Sequence, residues 1–466
     1  MDKVLLIEPG TKITKFPPLG LLSLATIMRE NKLEPEIIDY SGKELNNIKE
    51  DIEKSGADFV GIKVLTGPNI LRGLQISKIA KELGKTVIWG GPHPTVSPKQ
   101  TLENKYIDAV VIGEGENSIL DLIKYLQGKK VTPYGCSIKK NNKITILPPS
   151  KKVVDLNKLS LPAWDLLKNI NEYFPNKNHN LLPISTTRGC AFKCGFCHNS
   201  NKNVKEYLGC YRIADPKRAI EEYNFVQSLV KNKIDRLDVG EDLHLVSKDY
   251  TKKFCKTILN SKTGLKWYTA TRYMTLDSEQ VDLIKKAGCE QVLFGVESGS
   301  QRIQKMNNKV VELNSAIKIS KALRRRNIIV INAYIFGHPT ETKQELNMTI
   351  KYLKKLPADE NLIQLYRPLP ATPYFDLALQ RKKIKLPEKL EDWSTFGVLG
   401  YDKNVSEMKD NYLFKTFYRT NATEQAKYWL NLQKYHLRNN MYGKFIKTFI
   451  INRFTFKLKE YLESKK

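Results

Sequence analysis

The sequence predicts an α/β protein: a doubly wound, Rossmann-like amino-terminal domain, a partial (β/α)6 barrel, and a helical carboxyl-terminal region. Three observations carry this. Short apolar runs alternate with helical stretches through the first 130 residues. A second alternation of six βα-type units precedes residue 380, two fewer than a closed barrel needs. Beyond residue 380 the alternation stops and helical spacing takes over.

In the first region the expected strands are Val4–Ile7, Glu36–Ile38, Phe59–Val64, Thr86–Trp89 and Ala109–Ile112. They are nearly continuous apolar runs, as parallel strands buried on both faces require. Expected helices cover Leu21–Glu30, Glu44–Lys54, Ile70–Leu83 and Asn117–Leu126. Ligands of doubly wound sheets bind beyond the carboxyl ends of the strands. Those ends carry Pro9-Gly10, Leu65-Thr66-Gly67-Pro68, Gly90-Gly91-Pro92-His93-Pro94 and Gly113-Glu114-Gly115-Glu116, a bed of small residues for a large flat or phosphate-bearing ligand. Residues 138–160, lysine-rich with Pro148-Pro149, read as linker. The second set of strands is Ile184–Thr187, Arg236–Val239, Lys266–Ala270, Gln291–Val296, Ile328–Ile335 and Leu362–Tyr366. The domains are therefore drawn at 1–137, 138–175 (linker), 176–380 and 381–466.

The 466 residues include 77 Lys and Arg against 49 Asp and Glu, a net charge of +28. Residues 1–150 carry 21 basic and 17 acidic side chains, so most of the excess lies downstream. Such a field favours anionic ligands, nucleic acid or an anionic membrane surface, and a uniformly lysine-rich proteome explains it equally well. Seven cysteines, an odd number in so long a chain, exclude a disulfide scaffold. No apolar run approaches the roughly 18 residues of a membrane span. Met1–Glu8 ends in an acid and is no signal-peptide core, so a cytoplasmic location is expected. The apolar face from Tyr442 to Leu462, ringed by lysines, reads as a helix packed on its own domain, with peripheral membrane contact as the alternative.

The strongest chemical signal is Cys190-Ala-Phe-Lys-Cys194-Gly-Phe-Cys197, just after the first strand of the second region. Three thiolates within eight residues can wrap one metal centre. A structural zinc site needs four ligands, and only the adjacent His198 is offered as the fourth. A cubane held by three cysteines leaves one iron open for chemistry. Cys136, Cys210, Cys255 and Cys289 read as isolated core or surface residues.

The CxxxCxxC spacing with Phe196 before the last cysteine resembles the radical S-adenosylmethionine (SAM) superfamily. The resemblance continues through Trp267-Tyr-Thr-Ala-Thr-Arg272, through Gly288 to Glu297-Ser298-Gly299, through Ile335-Phe-Gly337-His-Pro339-Thr-Glu341-Thr342, and through Tyr366-Arg-Pro368-Leu-Pro370-Ala371, where glycine is usual in place of Ala371. It implies that Cys190, Cys194 and Cys197 hold a [4Fe–4S] cluster whose open iron chelates SAM. Electron transfer from the cluster would then yield a 5′-deoxyadenosyl radical that abstracts a substrate hydrogen. It also implies that Phe196, Arg272, Glu297, Ser298 and Glu241 contact SAM. A rim salt bridge for Arg272 and a helix N-cap for Ser298 are the structural alternatives.

Placed before such a core, the doubly wound domain resembles the cobalamin-binding domain of the B12-dependent radical SAM enzymes, on Phe16-Pro17-Pro18-Leu19-Gly20-Leu21, the Gly90–Pro94 loop and the Gly113–Glu116 loop. Leu19, Leu65, Thr66, Gly67, Gly90, Gly91, His93, Gly113, Glu114 and Gly115 are the implied cobalamin contacts. The cobalt-ligating DxHxxG signature is absent. Asp242-Leu-His244 lacks the glycine and falls in the wrong domain, so His93 is assigned a hydrogen bond to the cofactor rather than metal ligation. The resemblance implies a methyltransferase acting on an unactivated carbon, with cyclisation, carbon–carbon bond formation or rearrangement, on a lipid among others, as the alternative outcome. An external low-potential electron donor and a small-molecule or lipid substrate are the expected partners. A nucleic-acid-binding protein is the competing class, and no RNA module supports it. The sequence assigns no residue to the final hydrogen transfer.

Overall fold

The computed structural model describes residues 2–11, 15–150, 153–176, 180–200, 211–231, 233–240, 243–397 and 404–438. The chain forms two compact units, one of residues 1–235 and 367–401, the other of residues 236–366 and 402–466.

The first unit contains a seven-stranded sheet of β1 (Lys3–Glu8), β2 (Glu34–Asp39), β3 (Phe59–Lys63), β4 (Thr86–Gly90), β5 (Ala109–Val111), β6 (Cys136–Lys140) and β7 (Lys143–Ile146). Its order is β2-β1-β3-β4-β5-β6-β7. The first five strands run parallel. Val4–Ile7 and Val87–Trp89 are fully or almost fully buried, as continuous apolar strands between helical layers must be. The order of the strands reverses between β1 and β3, which opens a crevice at their carboxyl ends.

Residues 136–146, which overlap the stretch expected to be linker, instead form an antiparallel hairpin that extends the sheet. Its turn is Asn141-Asn142, with φ of 49° and 59°. Consecutive left-handed residues give the mirror-image turn that suits a two-residue hairpin, and asparagine tolerates that conformation. The alternation Ile144-Thr-Ile146 before Pro148 is the matching sequence signal. The same unit holds β8 (Asn180–Pro183) and a two-residue antiparallel pair, β9 (Thr187–Arg188) with β10 (Arg212–Ile213). The strand expected at Ile184–Thr187 therefore lies four residues earlier.

The second unit is built on a parallel sheet whose neighbours are, in order, β15 (Glu360–Leu365), β14 (Ile329–Phe336), β13 (Cys289–Glu297), β12 (Lys266–Thr271) and β11 (Ile234–Asp238), the last beginning at the unit boundary. Helices Lys248–Asn260, Ser278–Lys286, Leu313–Arg325 and Lys343–Lys355 connect successive strands. Each starts at a side chain that accepts a backbone N–H: Ser247, Asp277, Glu312 and Thr342, the second and fourth as full capping boxes. The helix Asp410–Arg438 packs on β15, where Asn361 donates to Glu424 (2.8 Å) and Asn431 to the Asp359 carbonyl (3.0 Å). No helix among the described residues is long and apolar enough to cross a membrane. The amphipathic segment expected at 442–462 lies outside the described residues.

Candidate cofactor sites

Both candidate loops of the first unit can be built from its strands. At the carboxyl edge of the doubly wound sheet, Lys63 pairs with Glu8 (2.8 Å), and Asn69 ties the β1 and β3 loops together. Its Nδ2 donates to the Gly10 carbonyl (3.0 Å), and its Oδ1 accepts from the Leu65 N–H (3.1 Å). Leu65 is left exposed at this edge, as is Phe16. Thr66, Gly90, Gly91, Gly113 and Leu19 are partly exposed, while Gly67 and Gly115 are buried.

His93 is completely buried. Its Nδ1 lies 3.1 Å from Thr66 Oγ1, and its Nε2 meets no hydrogen-bond partner among the described residues. Burial lowers its pKa to about 3, so the imidazole is neutral. Beside it stands Trp393, ring edge to ring at 5.7 Å, whose Nε1 donates to Gln100 Oε1 (2.6 Å). Phe396 and Gly397 lie directly on Thr66 and Gly67, so closely that a Cβ on Gly67 would stand 2.9 Å from the Phe396 carbonyl oxygen. This strap wall was invisible in the sequence, because Trp393 is 293 residues from Gln100 and carries no motif.

Glu114 and Glu116, at the end of β5, turn toward two arginines. Arg212 grips Glu114 through both terminal nitrogens (2.6 and 2.8 Å), and Arg188 lies 3.3 Å from Glu114 and 2.8 Å from Glu116. Burial alone would raise the Glu116 pKa, but the Arg188 guanidinium outweighs it and holds the carboxyl below its ordinary range.

The cysteine loop begins one residue after Arg188. Cys194 is buried, and Cys190 and Cys197 are half-buried. The Cys197 N–H donates to the Cys194 carbonyl (3.0 Å), and Ser200 donates its N–H (2.9 Å) and hydroxyl (2.7 Å) to the Cys197 carbonyl. From the returning strap, the Tyr374 N–H donates to the Gly195 carbonyl (3.1 Å), and its ring lies 6.5 Å from that of Phe196. Burial raises the thiol pKa values of Cys136, Cys255 and Cys289, that of Cys255 to about 12, which marks them as inert core residues. Among the described residues no three His, Cys, Asp or Glu side chains, the three cysteines of this loop included, stand converged on a single metal position. In number and chemistry, three thiols on one hydrogen-bonded loop are the donor set of a three-cysteine cluster.

In the second unit the strand ends gather three of the expected SAM contacts. Glu297 and Ser298 close β13, and Arg272 follows β12, the parallel neighbour of β13. Glu297 holds φ at 68°, a conformation rarely kept by a non-glycine residue unless its surroundings enforce it. Its carboxylate is fixed by Lys309 (2.7 Å). Ser298 is no helix cap; that role belongs to Ser300, which accepts from the Ile303 N–H. The Ser298 hydroxyl instead pairs with Thr349 Oγ1 (3.0 Å), which also accepts from the Gly299 N–H (3.0 Å). Lys309, on the loop before the helix Leu313–Arg325, and Thr349, on the helix Lys343–Lys355, were missed because neither lies in the motif they hold. Arg272 is half-buried, and its carbonyl accepts from the Thr275 hydroxyl (2.8 Å). Glu241 lies outside the described residues. His244 is buried among Tyr250, Phe254 and Trp267, with Nδ1 2.9 Å from Thr269 Oγ1, and is a core residue.

Two family models match the chain, one after the other. Residues 12–123 match the family model of the B12 binding domain, and residues 184–353 match that of the radical SAM superfamily. An uncharacterized methyltransferase of Pyrococcus horikoshii is 30% identical over 391 residues, covering 81% of this chain and 83% of its own. The anaerobic magnesium-protoporphyrin IX monomethyl ester cyclase of Rubrivivax gelatinosus is 25% identical over 95% of this chain and 84% of its own. The radical SAM methyltransferase TsrM from Kitasatospora setae, solved with cobalamin and a [4Fe–4S] cluster bound, shares the fold with a TM-score of 0.68 at 19% identity, over 83% of this chain and 76% of that one. With the two domain types in this order and a relative this similar across most of its length, the chain belongs to the cobalamin-dependent radical SAM enzymes, whose cofactors are cobalamin, a [4Fe–4S] cluster and SAM.

Proposed function

We propose that this enzyme transfers a methyl group to an unactivated carbon of a small-molecule substrate, with cobalamin bound by residues 1–137, the radical SAM core at 176–380 and a helical region at 381–466. The observation that carries the reading is that one compact unit holds both the three-cysteine loop and the small-residue edge of the doubly wound sheet. Bound together, the three cofactors supply hydrogen-atom abstraction and a transferable methyl group.

The chain's own residues bind and orient. Cys190, Cys194 and Cys197 would hold the cluster, and Phe196, kept in place by Tyr374, would flank SAM. Glu297, locked by Lys309, offers a fixed carboxylate to the SAM amine, with Arg272, Ser298 and Glu241 as the further proposed SAM contacts. Leu65 offers apolar contact to the corrin. Thr66, Gly67, Gly90, Gly91, Gly113, Glu114, Gly115 and Leu19 form its bed. Neutral His93 fits a hydrogen bond at Nε2 better than an ionic contact. An external one-electron donor of low potential completes the system, and a lipid substrate with membrane contact through the carboxyl-terminal segment is the variant reading.

The second outcome, ring closure without net methyl transfer, is favoured by the likeness to the Rubrivivax cyclase. Anaerobic purification with iron, sulfide and cobalt analysis tests the cofactor assignment. Turnover with methyl-deuterated SAM then separates the outcomes. A product carrying the label supports methylation, and 5′-deoxyadenosine with an unlabelled, dehydrogenated or cyclised product refutes it.

A further inference from the structure

The strands that close the mouth of the cysteine loop contain an arrangement that defeats itself in isolation. β9 and β10 have two residues each, and their ladder sets Arg188 directly opposite Arg212. Like charges facing each other across a ladder are destabilising. The compensating anions come from elsewhere in the sequence, from Glu114 and Glu116 on the loop after β5. Ser23 joins them, donating to Glu116 (2.7 Å) and lying 3.3 Å from Arg188. The four charged side chains are mostly buried, between 7% and 22% exposed.

Two arginines thus face two glutamates that lie about 75 to 100 residues away in sequence. Buried ion pairs add little net stability, because desolvation offsets attraction, but they fix register. The two-pronged grip of Arg212 on Glu114 adds orientation that a single contact lacks.

We propose that Arg188, Arg212, Glu114 and Glu116 form a positioning clasp that sets the cysteine loop in one register on the β5 loop. Cluster-bearing and corrin-facing segments then hold one fixed relation. The clasp rests on the assignment of these loops to the cluster and to cobalamin. None of its members is a catalytic residue. It acts through the position of the loop, and the ladder beneath the cysteines closes only when the β5 loop is docked.

The test uses the full chain, purified without oxygen and reconstituted with iron, sulfide and cobalamin. Glu114→Gln and Arg212→Lys each keep size and solubility while spoiling the two-pronged geometry. Arg212→Lys is expected to retain cobalt and iron, and Glu114→Gln to retain iron. The electron paramagnetic resonance signal of the reduced cluster, a single species on SAM addition in the parent, should split into several. The ratio of 5′-deoxyadenosine to final product should rise on the order of tenfold, since an ångström of misplacement can cost about a hundredfold in rate. In Glu114→Gln/Glu116→Gln the unopposed arginines should also lower iron content. Adding Arg188→Met should restore the iron but not the single-species signal, a separation that a purely stabilising role would not give. Should the glutamine variants fail to fold, Arg212→Lys decides alone. Fully loaded variants with the parent spectrum and ratio overturn the clasp. A parent chain that takes up no cluster would instead overturn the assignment beneath it.

Discussion

Gly299→Ala should destabilise the second unit and weaken SAM binding together. An added Cβ would collide with Tyr352 Cβ and stand 2.8 Å from Thr349 Cα and 2.9 Å from the Met348 carbonyl oxygen. Carbon contacts are comfortable at roughly 3.5–4.0 Å, so the helix Lys343–Lys355 must retreat by about 1 Å. None of these atoms is the end of a flexible side chain, so the strain cannot be relieved by a rotamer change. Overpacking of this kind costs about 1–3 kcal/mol. The retreat also stretches the bonds of Ser298 and Gly299 to Thr349, each contributing about 1 kcal/mol. A loss of about 2–4 kcal/mol lowers the melting temperature by roughly 5–15 °C for a unit of this size. Gly20→Ala is the control: among the described residues nothing lies within 4 Å of its added Cβ in an exposed first helical turn, so stability should hold or rise by up to about 1 kcal/mol. Calorimetry reads the first effect. Equilibrium SAM binding, expected to weaken about tenfold as Glu297 leaves its left-handed conformation, reads the second. If Gly299→Ala melts within about 2 °C of the parent and binds SAM equally well, the steric account of the Glu-Ser-Gly turn is wrong.

Other perturbations reach other parts of the molecule. Replacing Cys194 by Ala should abolish iron and sulfide uptake while leaving cobalt content near the parent's, measured by metal analysis. Trp393→Phe removes the bond to Gln100 and trims the wall beside His93, and should cost about 1–2 kcal/mol and reduce retained cobalamin, read from its absorbance. Glu341 is completely buried, and desolvation lifts its pKa from 4.5 to about 8. Between those values the folded state binds more protons than the unfolded chain, so stability falls as pH rises from 4.5 through about 8, by at most about 1.4 kcal/mol per unit. Glu341→Gln should flatten that dependence in melts across pH 5–9, and an unchanged slope would show that the carboxyl titrates normally.

What the sequence discloses depends on how local the deciding interactions are. The parallel strands were legible because each must be apolar on both faces, a property of four or five consecutive residues such as Leu5-Leu6-Ile7. The hairpin at 136–146 was missed because its lysines mask the alternation, and the informative feature was the Asn141-Asn142 pair. The first strand of the second alternation slipped because Ile184–Thr187 and Asn180–Pro183 are both short and partly apolar. At such lengths pairing partners, not composition, choose the register.

The candidate site divides along the same line. The proposed cluster ligands Cys190, Cys194 and Cys197 declare themselves by spacing, since a loop must bring its own ligands together. Glu114 reads as part of a glycine-rich ligand loop, and the fold adds that its carboxylate is held by Arg212, 98 residues away. Ser298 and Glu297 likewise read as ligand contacts, although each is held by a residue from a following helix or loop, Thr349 and Lys309. Motif spacing thus marks where cofactor chemistry sits, whereas the residues that aim it are chosen by the packing of distant segments. For Arg188 and Arg212 the logic runs further. Two like charges across one ladder would count against a strand pair in any local reading, and they become favourable only once Glu114 and Glu116 arrive. A local conflict resolved only by tertiary docking makes the closing of the cysteine loop conditional on the doubly wound domain.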